Sequence, residues 1–256
     1  PSGVRVGYDY PKLEDASDAQ KAYIETYFSD LENALNNEPP TYSDFIDVDS
    51  WVDYFLLIEL TREVDAYRLS AYFSKESGEK LKAGPVWDLN LGFGNANYCN
   101  GASTAGWAFK NCEVRQIPWW WPKLLADAPF QAAVRARWAE LRESTFSLAN
   151  INSLIDGYVA RLGSETIDAN FAKWDVLDTY VWPNPEPFRG QTHAMYIDRR
   201  KTWIADRIAW IDANLIGLPE TYTPIPQSTG QLTAGMIAGI SVGSVAFISA
   251  AGFLIF

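Results

Sequence analysis

Two aspartates, Asp65 and Asp88, flank a stretch of alternating apolar and polar residues in the N-terminal half of the sequence. The stretch predicts two strands, 67–75 and 80–86, joined by a turn at Ser77-Gly78-Glu79. The two ends of a hairpin lie side by side, so we expect both carboxylates to face one cleft.

Carboxylates in this order suit phosphoryl transfer of the kinase type. That chemistry needs one Asp to accept the proton of the attacking hydroxyl and a second Asp to hold Mg²⁺ against the nucleotide phosphates. In protein kinases a polar metal ligand follows the first Asp by five residues, and here Ser70 occupies that position. Asn90, two residues after Asp88, offers a further oxygen. Exposed acids often flank hairpins, so the spacing alone favours this chemistry only weakly.

Two segments around these aspartates resemble the spore coat protein H (CotH) kinase family. They are Glu59–Ser70 (ELTREVDAYRLS) and Lys82–Asn95 (KAGPVWDLNLGFGN). Similarity continues in Tyr10-Pro11, in Pro118-Trp119-Trp120 and in the last helical pattern, and it covers about residues 4–214. The family is similar to protein kinases in its core and acts on secreted or surface proteins.

The resemblance implies an α+β, mostly helical fold: a protein-kinase-like C-lobe with a small β-hairpin. Asp65 matches the catalytic aspartate and Asp88 the magnesium-binding aspartate. Asn90 and Ser70 stand where many members have Asp and Asn; both can still offer Mg²⁺ an oxygen, with less charge. ATP and Mg²⁺ are the implied cofactors, and Ser or Thr of surface proteins are the implied acceptors. The ATP-binding Lys and its lobe would precede Pro1, so we expect a catalytic-lobe fragment that is inactive alone.

The composition argues against several other function classes. The sequence has 21 Lys and Arg against 32 Asp and Glu, a formal net charge of −11. Nucleic acid is therefore not an expected partner, because binding phosphates needs clustered basic residues. A single histidine, His193, and two cysteines offer too few ligands for a His–Cys zinc site, and we expect His193 to be structural.

Hydrophobic periodicity predicts helices through most of the remaining sequence. The predicted ranges are 18–35 with a Ser17–Gln20 capping box, a helix beginning at Ser50, and then 129–146, 150–162 and 194–214. We expect the Trp119–Trp121 run to pack in the core, with a substrate platform as the alternative. We also expect the arginines at 135, 137 and 142 to pair with acids, with recognition of acidic or phosphate-bearing substrates as the alternative.

The C-terminal part of the sequence has a different composition. Residues 1–218 form the predicted catalytic lobe, 219–231 a Pro-, Ser- and Thr-rich stalk, and 232–256 a charge-free run long enough to cross a bilayer. We expect 232–256 to be a transmembrane-type helix or the tail of a lipid-anchor signal. Glycines at 235, 239 and 243 could pair two such helices in a homodimer.

Two cysteines, Cys99 and Cys112, lie in the loop after the Asp88 segment, with a spacing that matches no metal or redox motif. Beside a membrane segment they predict a disulfide, with two free buried thiols as the alternative. We therefore expect a membrane-anchored protein whose lobe lies outside the cell or in the secretory lumen.

Two other functions compete with a surface protein kinase. The first is a catalytically weak relative that acts as a surface binding or adhesion protein, a reading favoured by the Asn90 and Ser70 replacements and the membrane tail. The second is a carboxylate-based glycosidase, which the many aromatic residues and the acidic surface favour less strongly.

Overall fold

The computed structural model describes residues 4–112, 117–177, 179–185 and 191–215. They form a mostly helical α+β fold with one two-stranded antiparallel sheet. The elements are α1 (Asp18–Asn36), α2 (Val48–Thr61), β1 (Phe73–Ser74), β2 (Lys82–Ala83), α3 (Trp120–Leu124), α4 (Ala128–Glu143), α5 (Leu148–Lys173) and α6 (His193–Asn214). Short 3₁₀ turns occur at Tyr42–Asp44, Leu89–Leu91 and Ala108–Lys110.

Helix α1 begins with the capping box that the sequence predicts. The Gln20 backbone N–H donates to the Ser17 hydroxyl at 3.3 Å, and the Ser17 N–H donates to the Gln20 side chain at 2.9 Å. These bonds satisfy two N–H groups that a helix start otherwise leaves without a partner. The predicted range is therefore confirmed to within one residue.

Helix α2 forms the centre of the core and packs against α4, α6 and β2. Its predicted start at Ser50 is wrong by two residues, because Asp47 is the cap: the Asp47 carboxylate accepts the Ser50 N–H at 3.0 Å. Trp51, Phe55 and Ile58 are fully buried, as the nearly all-apolar sequence of this helix predicts.

Two of the three consecutive tryptophans complete this core. Trp120 and Trp121 are buried in α3, and Trp121 lies 5.0 Å from Trp51 between ring centroids. The preferred prediction for this run is confirmed, although the sequence did not predict the short helix that carries it. Aromatic rings at such separations add stability beyond the area that they bury.

The hairpin is much shorter than predicted. Phe73 pairs with Ala83 and Ser74 pairs with Lys82. The predicted first strand does not form over 67–72. Instead the backbone carbonyl of Asp65 accepts hydrogen bonds from residues 68–70, and the chain turns there. Backbone bonds from Asp47 to Leu81 (2.9 Å) and from Leu81 to Phe45 (2.8 Å) dock the hairpin onto the segment before α2.

The later helices follow the predictions with shifted ends. Helix α5 runs eleven residues beyond the predicted end at 162, through a kink at Gly163, where φ is 72°. Arg137 pairs with Asp53 at 2.7 Å and Arg142 with Asp212 at 3.2 Å, which confirms the predicted acidic partners. Arg135 instead donates to Gln131 at 3.2 Å.

The predicted stalk and membrane segment, 219–231 and 232–256 with its three glycines, lie outside the described residues. None of the helices formed by the described residues is long and apolar enough to span a membrane. All of these residues belong to one compact unit.

Candidate functional site

The site begins where α2 ends. Arg62 adopts a left-handed conformation (φ 53°, ψ 40°), and its N–H donates to the Ile58 carbonyl at 2.7 Å. Its side chain is buried and donates to the carbonyls of Asn100, at 3.0 Å, and Gly106. The chain therefore leaves the helix sharply, and the residues that follow are held against the loop near Cys99.

Asp65 lies in the tight turn that replaces the predicted strand. Its backbone carbonyl accepts the N–H groups of Arg68 (3.0 Å), Leu69 (2.8 Å) and Ser70 (3.0 Å). A strand cannot form here, because its N–H groups would have to pair with a neighbouring strand. The turn brings Asp65 and Ser70, two predicted site residues, into direct backbone contact.

The Asp65 carboxylate is oriented by two side chains that the sequence did not single out. Arg68 donates to Oδ1 at 2.6 Å, and both side chains of this pair are only 17% exposed. The Tyr98 hydroxyl lies 3.4 Å from each carboxylate oxygen. Burial and the Asp65 charge raise the pKa of that hydroxyl. Asp65 is thus fixed in direction while it keeps a solvent-facing edge.

Asp88 occupies a different environment. It has left-handed backbone angles (φ 61°, ψ 54°) and begins the 3₁₀ turn Leu89–Leu91, but its carboxylate does not cap that turn. Among residues with a Cβ, Asp and Asn tolerate this conformation best. Both Asp88 and Asn90 are exposed, so their oxygens face solvent where a ligand can reach them.

The segment that follows Asp88 is hydrogen-bonded to helices α2 and α6. The Phe93 N–H donates to the carbonyl of Thr61, the last residue of α2, at 2.6 Å. From α6, Arg200 donates to the Phe93 carbonyl and, at 3.0 Å, to the Asn95 side chain. Asp88 therefore sits on a turn with fixed supports.

A buried carboxyl, Glu63, lies against the backbone of Asp65. Its side chain is 1% exposed, and its Oε1 accepts the Asp65 N–H at 3.3 Å. Burial first, and then the charges of Asp65 and Asp88, raise the pKa of Glu63 to about 8. The charges of both Asp65 and Asp88 therefore act on the same buried carboxyl. The sequence signal that could have identified Glu63 is an acidic residue two positions before Asp65.

A second buried acid, Glu59, connects the Asp65 turn to the core. Its carboxylate accepts the Ala108 N–H at 2.7 Å and pairs with Arg207 of α6 at 3.0 Å. Burial raises the pKa of Glu59, and the Arg207 charge opposes that shift. Tyr67, in the Asp65 turn, donates its hydroxyl to Glu59 at 3.0 Å. The pair thereby ties α2 and α6 to the turn that bears Asp65.

The predicted disulfide is present between Cys99 and Cys112. Cys99 directly follows Tyr98, and the sulfur of Cys112 lies 3.4 Å from the carbonyl of Val64, which precedes Asp65. The disulfide therefore fixes the loop from which Tyr98 reaches Asp65. His193 begins α6 against the ring of Phe171, a placement that agrees with a structural role.

The described residues contain no group of three or more His, Cys, Asp or Glu side chains that could hold a metal by itself. Mg²⁺ in nucleotide sites is usually held by one or two carboxylates, with phosphates and waters completing its shell. One exposed carboxylate, Asp88, with the neutral side-chain oxygen of Asn90 two residues later, fits that pattern and does not fit an all-protein cage. The structure places Ser70 in the Asp65 turn.

Comparison with known families decides the relationship. The model of the family described as CotH kinase protein matches residues 4–211. The chain belongs to the CotH kinase family. The resemblance inferred from the sequence is thereby confirmed, and with it membership of a kinase-like family. No curated protein and no solved structure matches the chain.

Proposed function

We propose that this CotH family member is a protein kinase that transfers the γ-phosphoryl group of ATP to Ser or Thr hydroxyls of proteins. The observation that supports it most is the contrast between the two aspartates. Asp65 is oriented by Arg68 and Tyr98, whereas Asp88 is exposed on a fixed turn. A general base needs orientation, and a metal ligand needs an accessible oxygen.

In this mechanism Asp65 accepts the proton of the acceptor hydroxyl. The hydroxyl oxygen forms a bond to the γ-phosphorus as the bond from that phosphorus to the ADP oxygen breaks, and ADP leaves. Arg68 and Tyr98 hold the carboxylate in one direction, so that the proton is taken without a search over side-chain rotamers.

Asp88, Asn90 and Ser70 are the residues that would hold Mg²⁺. When bound, the ion neutralises charge on the phosphates during transfer. Asp88 supplies the anionic oxygen, and the segment that follows it is held at Phe93 by bonds to Thr61 and Arg200. Replacement of Asp by Asn at position 90 weakens the expected affinity without removing an oxygen.

We further propose that the protein acts on surface proteins, outside the cell or in the secretory lumen, anchored through 232–256. The Cys99–Cys112 disulfide supports this compartment, because disulfides persist in oxidising environments. The uncharged length of 232–256 supports the anchor. Pairing of two chains through the glycines at 235, 239 and 243 belongs to the same proposal.

The experiment is calorimetric titration of the full-length gene product, including any residues that precede Pro1, with ATP in the presence and absence of Mg²⁺. We expect Mg²⁺-dependent binding that Asp88→Ala weakens, because the ion has lost its anionic ligand. Asp53→Asn, an exposed acid paired with Arg137, is the matched control and should bind as wild type does.

A surface-binding protein with little or no transfer activity is the second candidate. The neutral residues Asn90 and Ser70 favour it, together with the charge-free run 232–256. Failure of the wild-type protein to bind ATP with Mg²⁺ would contradict the kinase proposal and leave this second function in its place.

A further inference from the structure

A pair of stacked aromatic rings lies beside the Asp65 carboxylate. The indole of Trp182 stacks on the ring of Tyr98, with the ring centroids 5.9 Å apart and the planes only 8° from parallel. The Tyr98 hydroxyl lies 3.4 Å from each Asp65 carboxylate oxygen. The proposed mechanism uses Tyr98 to orient the base but gives Trp182 no role.

Trp182 is far more exposed than a ring that serves only to pack the fold. Its side chain is 69% exposed, and its neighbours Tyr180 and Val181 are also exposed, at 46% and 41%. Because Tyr98 covers one face of the indole, the opposite face and the edges supply this exposure. Large apolar side chains that follow one another on a surface mark an interaction site more often than isolated ones do.

The segment that carries Trp182 is held in place beside the site. The Asn97 backbone N–H donates to the Pro183 carbonyl at 2.8 Å, and the Asn97 side-chain amide donates to the Tyr180 hydroxyl at 2.8 Å. Asn97 directly precedes Tyr98, so these bonds hold the two stacked rings together. The indole is therefore ordered before a ligand arrives, and binding to it loses little side-chain entropy.

The two contacts of Tyr98 limit the distance between Trp182 and the reacting groups. The ring separation, the size of a phenol and the hydroxyl–carboxylate distance together place the indole within about 12 Å of the Asp65 carboxylate. An extended polypeptide covers that distance in about three or four residues. A polypeptide whose Ser or Thr hydroxyl reaches Asp65 can therefore lay a neighbouring side chain on the indole.

We propose that Trp182 is a specificity-determining residue for the acceptor protein, and that its exposed indole face binds an aromatic or large apolar side chain within about four residues of the acceptor hydroxyl. This inference rests on the proposed function and deepens it, because it names a feature of the acceptor sequence. Aromatic rings pair favourably with an indole, and Trp is enriched among the residues that dominate binding. The residues on either side of Trp182 carry no charge, which favours an apolar ligand over a charged one.

The test compares peptide acceptors of the full-length gene product, each with a single Ser and with Phe, Lys or Ala placed in turn at every position within about four residues of it. Transfer of ³²P from γ-labelled ATP gives the KM, and fluorescence anisotropy of labelled peptides gives the dissociation constant without activity. We expect Phe at one position to lower both constants by about 5–30-fold relative to Ala. Trp182→Ala should remove this preference, and Trp182→Phe, which keeps an aromatic face, should retain most of it.

Trp174→Ala is the matched control, since Trp174 is an exposed tryptophan at the end of α5 with the Lys173 ammonium over its ring, and it should keep the preference. Equal binding of the Phe and Ala peptides by wild type, or tighter binding of the Lys peptides, would overturn the inference. An equal loss with every peptide in Trp182→Ala would also overturn it, because Trp182 would then only support Tyr98.

Two further outcomes separate this inference from the proposed function. A loss of ATP affinity in Trp182→Ala, with the peptide preference kept, would assign the indole to the nucleotide and overturn the inference. Preference for the Phe peptide without any ³²P transfer would support the role of Trp182 in binding and contradict the kinase proposal. Transfer without any preference would do the reverse.

Discussion

Removing the buried acid Glu63 should change how the stability of the metal-free protein depends on pH. In the folded protein the pKa of Glu63 is raised from 4.5 to about 8, chiefly by burial. Between these two values the folded state holds a proton that the unfolded state has released. Stability therefore falls as the pH rises through this window, and Glu63→Gln, which does not titrate, removes that fall.

The size of the effect follows from the shift. Each pKa unit corresponds to about 1.4 kcal/mol. If no water reaches the Glu63 carboxyl, the unfolding free energy of wild type should therefore fall by about 3 kcal/mol between about pH 5.5 and pH 8. Water that reaches the ionised group reduces this value, and we expect about 2 kcal/mol. Glu63→Gln should therefore gain stability relative to wild type by this amount across the window.

The assay is urea denaturation of both proteins at about pH 5.5 and pH 8, with a chelator present to keep the site free of metal. Burial lowers the pKa of His193, and this contribution to the pH dependence is the same in both proteins. A difference in unfolding free energy that stays constant across the window would refute the placement of Glu63 in a buried site beside two charged carboxylates.

Two further changes test the supports of the site. Arg207→Met should cost about 3–5 kcal/mol of unfolding free energy in urea, because it leaves buried Glu59 without its cation; a cost below about 1 kcal/mol would contradict the pairing. Gly94→Ala should lower the melting temperature, because φ is +80° and a Cβ would lie 2.6 Å from Trp203 Nε1. Gly157→Ala, with open space around a helical glycine, should instead stabilise by about 0.5–1 kcal/mol, and equal effects of the two alanines would contradict this packing.

The sequence predicted the parts of the fold that depend on local patterns. The capping box at Ser17 and the buried tryptophans are examples, because a cap needs only neighbouring residues and an indole has few places other than a core. The disulfide was also predictable, from two cysteines in one loop.

What the sequence missed depends on contacts between distant residues. Alternation over 67–75 resembles a strand, yet the Asp65 carbonyl collects three N–H groups and turns the chain. Arg207 pairs with Glu59 across 148 positions, a separation that no single-sequence pattern reveals. The effect of the Asp88 charge on Glu63 likewise depends on the folded structure, because the two residues are far apart in sequence.

The central claim is that Asp65 acts as the base in a phosphoryl transfer supported by Asp88. It is tested most directly by the rate of ³²P transfer from γ-labelled ATP to an acceptor protein at saturating ATP and Mg²⁺, compared between wild type and Asp65→Asn. The isosteric amide keeps the position beside Arg68 but cannot accept the proton. We predict unchanged nucleotide binding and a rate lower by about 10²–10⁴-fold. Transfer by Asp65→Asn at the wild-type rate would contradict the account.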